Sequence, residues 1–322
     1  MKKLALALGV PLLAGLAVLA WFASGWYASA NIEEDTTFIV PQGATLTAVA
    51  GQLAEEGLID SARGFLLRAR VLGSGEPIQA GEFAIPKGAS PASILDAFQN
   101  GKVIRRFVTI PEGLPSILVY ERLMAEDLLT GSIDIPEEGS ILPDTYDFER
   151  GESRAAVVER MQAAMDRYLA GAWEKRTGKA VVRTPQEALV LASIVEKETA
   201  QPDERRMVAG ALSNRVRIGM MIGADATTIY PITKGKPLGR MIRVSELRDP
   251  NPYNTRAVAG LPPGPITNPG RESISAVLDP AATKALYYVA DGSGGHVFAE
   301  TLEEHNRNAA AWRKLRRERG DM

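Results

Sequence analysis

Two carboxylates at the end of an apolar segment are the groups in this chain best placed to do chemistry. Glu196 and Glu198 follow a run from Ala188 to Val195 in which nearly every residue is apolar. Such a run predicts a buried helix. A buried carboxylate is costly unless it is hydrogen-bonded, paired or used. Burial also raises the pKa of a carboxyl group, as a general acid at neutral pH requires.

The two glutamates are predicted to face different directions, because residues two apart on a helix do not share a face. Glu198 follows the bulkiest apolar stripe of the helix, and we predict that it is the general acid. Glu196 is expected to reach a cation or a backbone donor elsewhere. The spacing leaves a second interpretation open with equal weight. Both glutamates would then be solvated at a fraying helix end and paired with Arg205 or Arg206.

The other end of this helix is also marked in the sequence. Thr184 is a typical N-cap, Pro185 suits the first helical position, and Glu187 suits the reciprocal bond of a capping box. The sequence therefore predicts a helix that begins after Thr184 and ends at the two glutamates.

Composition argues against several kinds of site. The chain has 322 residues, a net charge of −2, no cysteine and two histidines. Disulfides, thiolate nucleophiles and Cys-based zinc sites are excluded, and no His-rich metal spacing is present. We expect neither a metal nor a cofactor, and the charge argues against nucleic acid as a partner. Ser293 and His296 share a glycine-rich turn, which is more typical of a hairpin than of a catalytic dyad.

The N-terminus predicts a membrane anchor. Lys2 and Lys3 precede an uncharged run at 4–26 that is long enough to span a bilayer. The lysines predict a cytoplasmic tail at 1–3, with the rest of the chain beyond the membrane. The sequence Ala-Ser-Ala at 28–30 resembles a signal-peptidase site, so cleavage is the alternative. The length of the apolar run favours an uncleaved anchor.

A short sequence motif occurs three times in the region after the linker at 27–36. It consists of a β-prone residue, Pro-x-Gly and a helical pattern, at 40–43, 85–88 and 110–113. Each copy predicts a strand end, a turn that needs glycine, and a helix start. Strand, two helices and strand then make a small α+β module at 37–107.

Residues 108–322 are predicted to form a second domain of mixed helices and strands. A proline-rich loop is predicted at 260–270 and a β-hairpin at 286–298. Further helical patterns cover 153–175, 203–219 and 302–319. The predicted fold class is therefore α+β, with an N-terminal transmembrane helix, a small α+β module and a mixed catalytic domain.

Polar side chains on neighbouring segments are the candidates for binding a substrate. Singly, each is more typical of structural hydrogen bonding in loops than of ligand binding. The candidates are Glu196, Asn214, Arg215, Asp225, Thr227, Tyr253, Asn254, Thr255, Asn268, His296 and Asn306.

Several long phrases occur in an order that is characteristic of a known family. They are LPDTY at 142–146, SIVEKET at 193–199, NR at 214–215, YNT at 253–255, GLPPGPI with NPG at 260–270, VADG with GH at 289–296, and HN at 305–306. With these phrases the chain resembles the MltG (YceG-like) family of endolytic murein transglycosylases. One departure is Asp225-Ala226-Thr227, where the family usually has Asp-Pro-Thr, and it brings the rigidity of this predicted loop into question.

The resemblance implies a function and a compartment. Glu198, the second glutamate of SIVEKET, matches the family's catalytic position, in agreement with the helix argument. The module at 37–107 would be similar to a LysM domain. The domain at 108–322 would lie outside the inner membrane and cut glycan strands of peptidoglycan endolytically between N-acetylmuramic acid and N-acetylglucosamine. It would leave 1,6-anhydro ends, terminate glycan elongation and work beside peptidoglycan synthases.

Two other functions stay open on the residues alone. A muramidase would use Glu198 together with Asp225 or Asp144 as a second carboxylate, and it would add water to its products. A membrane-anchored scaffold would bind glycan through 37–107 and have no activity.

Overall fold

The chain folds into two compact units, Met1–Arg106 and Phe107–Met322. The structure is a computed structural model that describes the backbone of residues 2–320 and the side chains of residues 12–320. The domain boundary predicted from the sequence falls between residues 107 and 108.

The first unit begins with helix α1, Lys2–Tyr27. The C-terminal end of α1 packs against the rest of this unit. Trp26 is buried, and its ring lies 5.5 Å from the ring of Phe65. Arg68 donates a hydrogen bond from Nε to the carbonyl oxygen of Phe22 at 3.0 Å. The last turns of α1 are therefore part of the folded unit.

The membrane span predicted at 4–26 lies within α1. The side chains of residues 4–11 fall outside the described part of the chain. Among the side chains that are described, no helix is both long and apolar enough to cross a membrane.

The remainder of the first unit contains the predicted strand, two helices and strand. The elements are β1 (Thr36–Val40), α2 (Leu46–Glu55), α3 (Ala62–Leu72), β2 (Gly81–Ile85) and α4 (Pro91–Asn100). Strands β1 and β2 are antiparallel, with Phe38 opposite Phe83. Both rings pack on Phe98 of α4, with centroid distances of 5.3 Å. These aromatic rings form the centre of the first core, and the similarity to a LysM domain stays a prediction.

The three Pro-x-Gly phrases form the predicted strand–turn–helix junctions. Gly43, Gly88 and Gly113 have φ angles of 75°, 68° and 71°. L-amino acids with side chains rarely adopt this backbone region. A helix begins shortly after each glycine, so these predictions are confirmed.

The second unit is also mixed, which confirms the α+β class. Strand β3 (Arg105–Thr109) and strand β4 (Thr145–Glu149) form a two-stranded sheet. The further elements are α5 (Ser116–Met124), β4 (Thr145–Glu149), α6 (Arg154–Glu174), α7 (Pro185–Glu198), a 3₁₀ turn (Pro202–Glu204), α8 (Arg205–Arg217), α9 (Asp225–Thr233), α10 (Val244–Leu247), α11 (Arg271–Leu278), β5 (Tyr287–Ala290), β6 (His296–Ala299) and α12 (Leu302–Arg319).

Helix α7 lies at the centre of the second unit. Every residue from Ala188 to Val195 is buried, as predicted, and α7 packs against α8 and α11. The hydroxyl of Thr184 accepts the backbone N–H of Glu187 at 3.1 Å. The carboxylate of Glu187 accepts the N–H of Arg183 at 2.6 Å. The predicted cap residue is therefore confirmed, while the reciprocal bond lies one residue earlier than predicted.

The sequence pattern does not predict helices α9 and α11. Helix α9 is rich in β-branched residues and contains Pro231, which lowers its helix propensity. Asp225, Ala226 and Thr227 form the first turn of α9. The expectation that they belong to a loop is therefore wrong, and Ala226 occupies the second helical position, where a proline would also be tolerated.

Candidate active site

The side chain of Glu196 is almost fully enclosed by other residues of the protein. Its Oε2 accepts the backbone N–H of Gly270 at 3.0 Å, and the guanidinium of Arg205 lies 3.9 Å from its Oε1. The side chain is 6% exposed. The prediction that Glu196 reaches a cation or a backbone donor is confirmed, since it reaches both.

The same face of α7 holds the proline-rich loop at 260–270. Ser193 lies three residues before Glu196, so the two side chains are neighbours on the helix surface. The hydroxyl of Ser193 accepts the N–H of Ile266 at 3.0 Å and donates to the carbonyl of Val190 at 2.7 Å. Ser193 and Glu196 together fix the second half of this loop against α7.

Glu198 lies on a different face of α7 and is half-buried. Its Oε2 accepts a hydrogen bond from the hydroxyl of Tyr288 at 2.6 Å. Burial raises the pKa of Glu198, and the negative charge of Asp225 adds to the rise. The Tyr288 hydrogen bond and the positive charge of Arg256 oppose this rise in pKa without cancelling it. Glu198 therefore keeps its proton to a higher pH than an ordinary glutamate, which suits a general acid.

The hairpin of β5 and β6 carries the groups that face Glu198. Its register pairs Tyr288 with Phe298 and Ala290 with His296. Paired residues and residues two apart share a face of a sheet, so these side chains point to the same side. The ring of His296 meets the ring of Tyr288 edge-on at 5.5 Å.

Glu204 fastens this hairpin to the end of α7. Its carboxylate accepts the backbone N–H of His296 at 2.7 Å and contacts His296 Nδ1 at 2.8 Å. It also accepts the hydroxyl of Thr199, the C-cap of α7, at 3.3 Å. Burial alone would raise the pKa of Glu204, but the hydrogen bonds from His296 bring that pKa below its ordinary value. A Cβ on Gly295 would lie 2.6 Å from Glu204 Oε1, so a side chain at this position would displace the carboxylate from its present contacts.

Arg215 binds backbone carbonyls instead of pointing into open space. Its Nε donates to Leu286 at 2.5 Å, and its Nη1 donates to Ile222. Its guanidinium lies 5.8 Å from the ring centroid of Tyr288. Arg215 thereby holds the start of β5 and the segment before α9, and it positions the residues around Glu198.

Asp225 and Arg256 form an ion pair near Glu198. Asp225 Oδ1 and Arg256 Nε are 2.5 Å apart, and the two side chains are 60% and 41% exposed. Beneath them the hydroxyls of Thr227 and Thr255 are buried and 2.7 Å apart. The two threonines fix the backbone, and the ion pair above them stays accessible to a ligand.

Three of the predicted binding residues are asparagines whose side-chain amides form hydrogen bonds within the protein. Asn254 and Asn268 are buried, and Asn214 is partly buried. Their side chains hydrogen-bond to backbone groups of Glu246, Leu247, Asp249, Leu114, Ile141, Thr283 and Ala285. These bonds tie loops to the helices that surround α7.

The two other predicted residues lie apart from these groups. The ring of Tyr253 packs on Tyr230 with a centroid distance of 4.9 Å. Asn306 is exposed on α12. The structure therefore brings Asp225, His296 and, through Tyr288, Arg215 to Glu198.

Sequence reasoning missed Tyr288 and Arg256. Tyr288 belongs to the predicted strand, and the strand's alternation could have separated its face from that of Tyr287. Arg256 follows directly after the Tyr-Asn-Thr phrase. The sequence analysis selected the three residues of this phrase, which are partly or fully buried. The neighbouring Arg256 is exposed.

Comparisons with known proteins agree with these motifs. The model of the YceG-like family matches residues 38–311. An "Endolytic murein transglycosylase" of Bacillus subtilis (strain 168) is 26% identical over 305 residues, covering 83% of this chain and 82% of that protein. One of Streptococcus pneumoniae serotype 2 is 27% identical over 330 residues, covering 87% of this chain and 59% of that protein. The chain thus spans less than two thirds of the pneumococcal relative.

A solved structure has a similar fold. The crystal structure of a putative yceG-like protein from Listeria monocytogenes superposes with a TM-score of 0.54 and 25% sequence identity. The match covers 85% of this chain and 98% of the Listeria chain.

Proposed function

The chain belongs to the YceG-like family, and from that premise we propose that it is an endolytic lytic transglycosylase of peptidoglycan. The relatives named endolytic murein transglycosylase support this reaction class. The observation that carries the proposal in this chain is Glu198. It is a half-buried carboxyl with a raised pKa, and the neighbouring Asp225 and Arg256 remain exposed.

In the first step Glu198 acts as a general acid. Its proton passes to the glycosidic oxygen between N-acetylmuramic acid and N-acetylglucosamine, and the C1–O bond breaks. The transition state resembles an oxocarbenium ion, and the substrate's own acetamido group assists in stabilising it. Glu198 is left as a carboxylate near the positive charge of Arg256, which stabilises its charged form.

In the second step the carboxylate of Glu198 acts as a general base. It takes the proton of the muramic acid C6 hydroxyl, and the C6 oxygen bonds to C1 to give a 1,6-anhydro ring. This attack is intramolecular, so it benefits from a high effective molarity and needs no positioned water. One carboxyl group therefore suffices for the complete reaction.

A muramidase remains the second candidate, because Asp225 lies close enough to raise the pKa of Glu198. Asp225 would then activate a water molecule as the second carboxylate. Asp144, the other carboxylate considered, pairs with Arg271 at 2.7 Å, and its charge is not among those that shift Glu198. Product masses separate the two reactions, since hydrolysis adds one water and transglycosylation does not.

The test uses the full chain in detergent with purified glycan strands, and the products are weighed by mass spectrometry. We expect 1,6-anhydro ends from the wild type. Glu198→Gln should lower the rate by about 10²- to 10⁴-fold, as expected when a general acid–base group is lost. Glu303→Gln is the matched control, since Glu303 is 84% exposed on α12. Hydrated products, or near-normal cutting by Glu198→Gln, would contradict the proposal.

We propose the cellular setting on the sequence and the family. The uncharged run at 4–26, after two lysines, would anchor the chain in the inner membrane with its N-terminus in the cytoplasm. The module at 37–107 would act like a LysM domain and bind glycan, and residues 108–322 would cut nascent strands beside peptidoglycan synthases and end their elongation. Retention of the full chain in membranes after alkaline extraction tests the anchor, and release into the soluble fraction would refute it.

A further inference from the structure

We propose that Tyr288 is a positioning residue that determines which oxygen of Glu198 carries the catalytic proton. This inference rests on the proposed function. The hydroxyl of Tyr288 lies 2.6 Å from Glu198 Oε2 and donates a hydrogen bond to it. Because Oε2 is engaged in this way, Oε1 is the oxygen left to face the substrate.

The donors and acceptors of the two groups determine which oxygen of Glu198 carries the proton. A tyrosine hydroxyl has one proton to donate, and a protonated carboxyl group has one donor oxygen and one acceptor oxygen. While Tyr288 donates to Oε2, the acid proton of Glu198 resides on Oε1. In the first step the Oε1–H bond breaks and a bond from that proton to the glycosidic oxygen forms. In the second step the C6 hydroxyl returns a proton to Oε1, and Tyr288 keeps its own proton throughout.

Tyr288 is suited to this role because it stays protonated. Burial raises its pKa well above the ordinary value, and the nearby charge and hydrogen bond of Glu198 raise it further. Tyr288 is therefore a permanent donor and not a second base. It differs from a general acid–base residue in touching the substrate only through Glu198.

The surrounding contacts hold the Tyr288 hydroxyl in place. Arg215 donates to the carbonyl of Leu286, at the start of the strand. Glu204 accepts two hydrogen bonds from His296 on the paired strand. The tyrosine is thus fixed from both strands of the hairpin, and a side chain fixed in this way can orient a carboxyl group without moving during turnover.

The main test is Tyr288→Phe in the full chain, which removes one hydroxyl and keeps the ring. We expect kcat to fall by about 10- to 100-fold with little change in KM, because the proton donor is no longer oriented. The hydroxyl favours the ionised form of Glu198, so its loss raises the pKa of Glu198. The basic limb of the pH–rate profile should therefore move to higher pH, by about one unit.

Tyr287→Phe is the matched control. Tyr287 is the preceding residue on the same strand, and its ring stacks on His305 on the other face, with centroids 5.3 Å apart. Its loss of a hydroxyl should leave both kcat and the pH profile unchanged. An effect on kcat equal to that of Tyr288→Phe would overturn the proposal.

The outcomes also separate this inference from the proposed function. The wild type alone decides whether 1,6-anhydro products form. If they do, an unchanged rate in Tyr288→Phe overturns the role of Tyr288, and so does a lower rate without a shift in the pH profile. If Tyr288→Phe does not fold, the proposal is tested instead by the pH–rate profile of a variant with a fluorinated tyrosine at position 288. Its hydroxyl is a stronger donor, so the basic limb should move to lower pH, and an unmoved limb would overturn the proposal.

Discussion

Glu196 and Glu198 lie two residues apart at the end of one helix, yet their side chains have opposite environments. Glu196 accepts a backbone N–H, lies near a buried guanidinium and is 6% exposed. Glu198 accepts the Tyr288 hydroxyl beside an exposed ion pair, and its pKa is raised by burial. The first carboxylate stabilises the fold, and the second is kept in a state that suits proton transfer.

The difference follows from which elements each face of α7 meets. The Glu196 side meets the loop that leads into α11, where backbone donors and Arg205 satisfy the negative charge. The Glu198 side meets the β-hairpin, where the donor is a neutral phenol. A neutral donor stabilises a carboxylate less than a buried cation does, so Glu198 remains easy to protonate.

Removing the cation from the Glu196 side should have the largest effect. Arg205 lies 3.2 Å from Glu112 and 3.9 Å from Glu196. Burial and the charge of Glu196 already raise the pKa of Glu112. Arg205→Met leaves two neighbouring carboxylates without their cation, and we expect a loss of about 3 kcal/mol in the free energy of unfolding in urea.

The neighbouring Arg206 supplies the control for this change. Arg206 pairs with Asp279, and both side chains are substantially exposed. Arg206→Met should therefore change the free energy of unfolding by no more than about 1 kcal/mol. Equal losses of unfolding free energy in the two variants would show that the contacts of Arg205 with Glu112 and Glu196 stabilise the fold no more than an exposed ion pair does.

Asn268 tests whether a predicted binding residue is in fact structural. Its side chain makes hydrogen bonds to Ile141, Leu114 and Ser116 in the buried region beside the proline-rich loop. Asn268→Ala should lower the free energy of unfolding by about 2 kcal/mol, because buried partners lose their bonds. The KM for glycan should not change once rates are corrected for the folded fraction.

The exposed Asn306 provides the contrast for Asn268. Asn306→Ala should leave the unfolding free energy unchanged within about 0.5 kcal/mol, as is usual for surface positions. A rise in KM for Asn268→Ala at full folding would show that Asn268 binds substrate after all.

The smallest effect expected is a stabilisation on the Glu198 side. The pKa of Glu198 in the folded state is raised above its unfolded value. The protonated carboxyl therefore favours folding at low pH, and this contribution is lost as pH rises through the folded-state pKa. Glu198→Gln should gain stability relative to the wild type as pH rises, by about 1 kcal/mol above that pKa. A gain that is the same at every pH would contradict the assignment of Glu198 as the titrating group.

The sequence predicted the parts of the molecule that depend on local chemistry. Helix α7, its Thr184 cap and its buried run follow from residue types at fixed spacings. The glycines of the Pro-x-Gly turns follow from backbone sterics in the same way. The separation of Glu196 from Glu198 required only helical geometry.

The remaining parts depend on contacts between distant segments. The bond between Glu198 and Tyr288 joins residues 90 positions apart, and no local pattern indicates it. Asn254 and Thr255 were candidates for binding a substrate, although such residues are more typical of structural hydrogen bonding in loops, and both are buried in the folded protein. Helix α9 was missed because its β-branched residues and Pro231 are poor helix formers that tertiary packing overrides.

The most direct test of the account compares the two glutamates in one experiment. Glu196→Gln and Glu198→Gln are made in the full chain, and the release of 1,6-anhydro products is measured per folded molecule. We predict that Glu198→Gln loses about 10²- to 10⁴-fold in rate, while Glu196→Gln keeps a rate close to that of the wild type and loses stability instead. The reverse pattern, with Glu196→Gln inactive and Glu198→Gln active, would contradict the account.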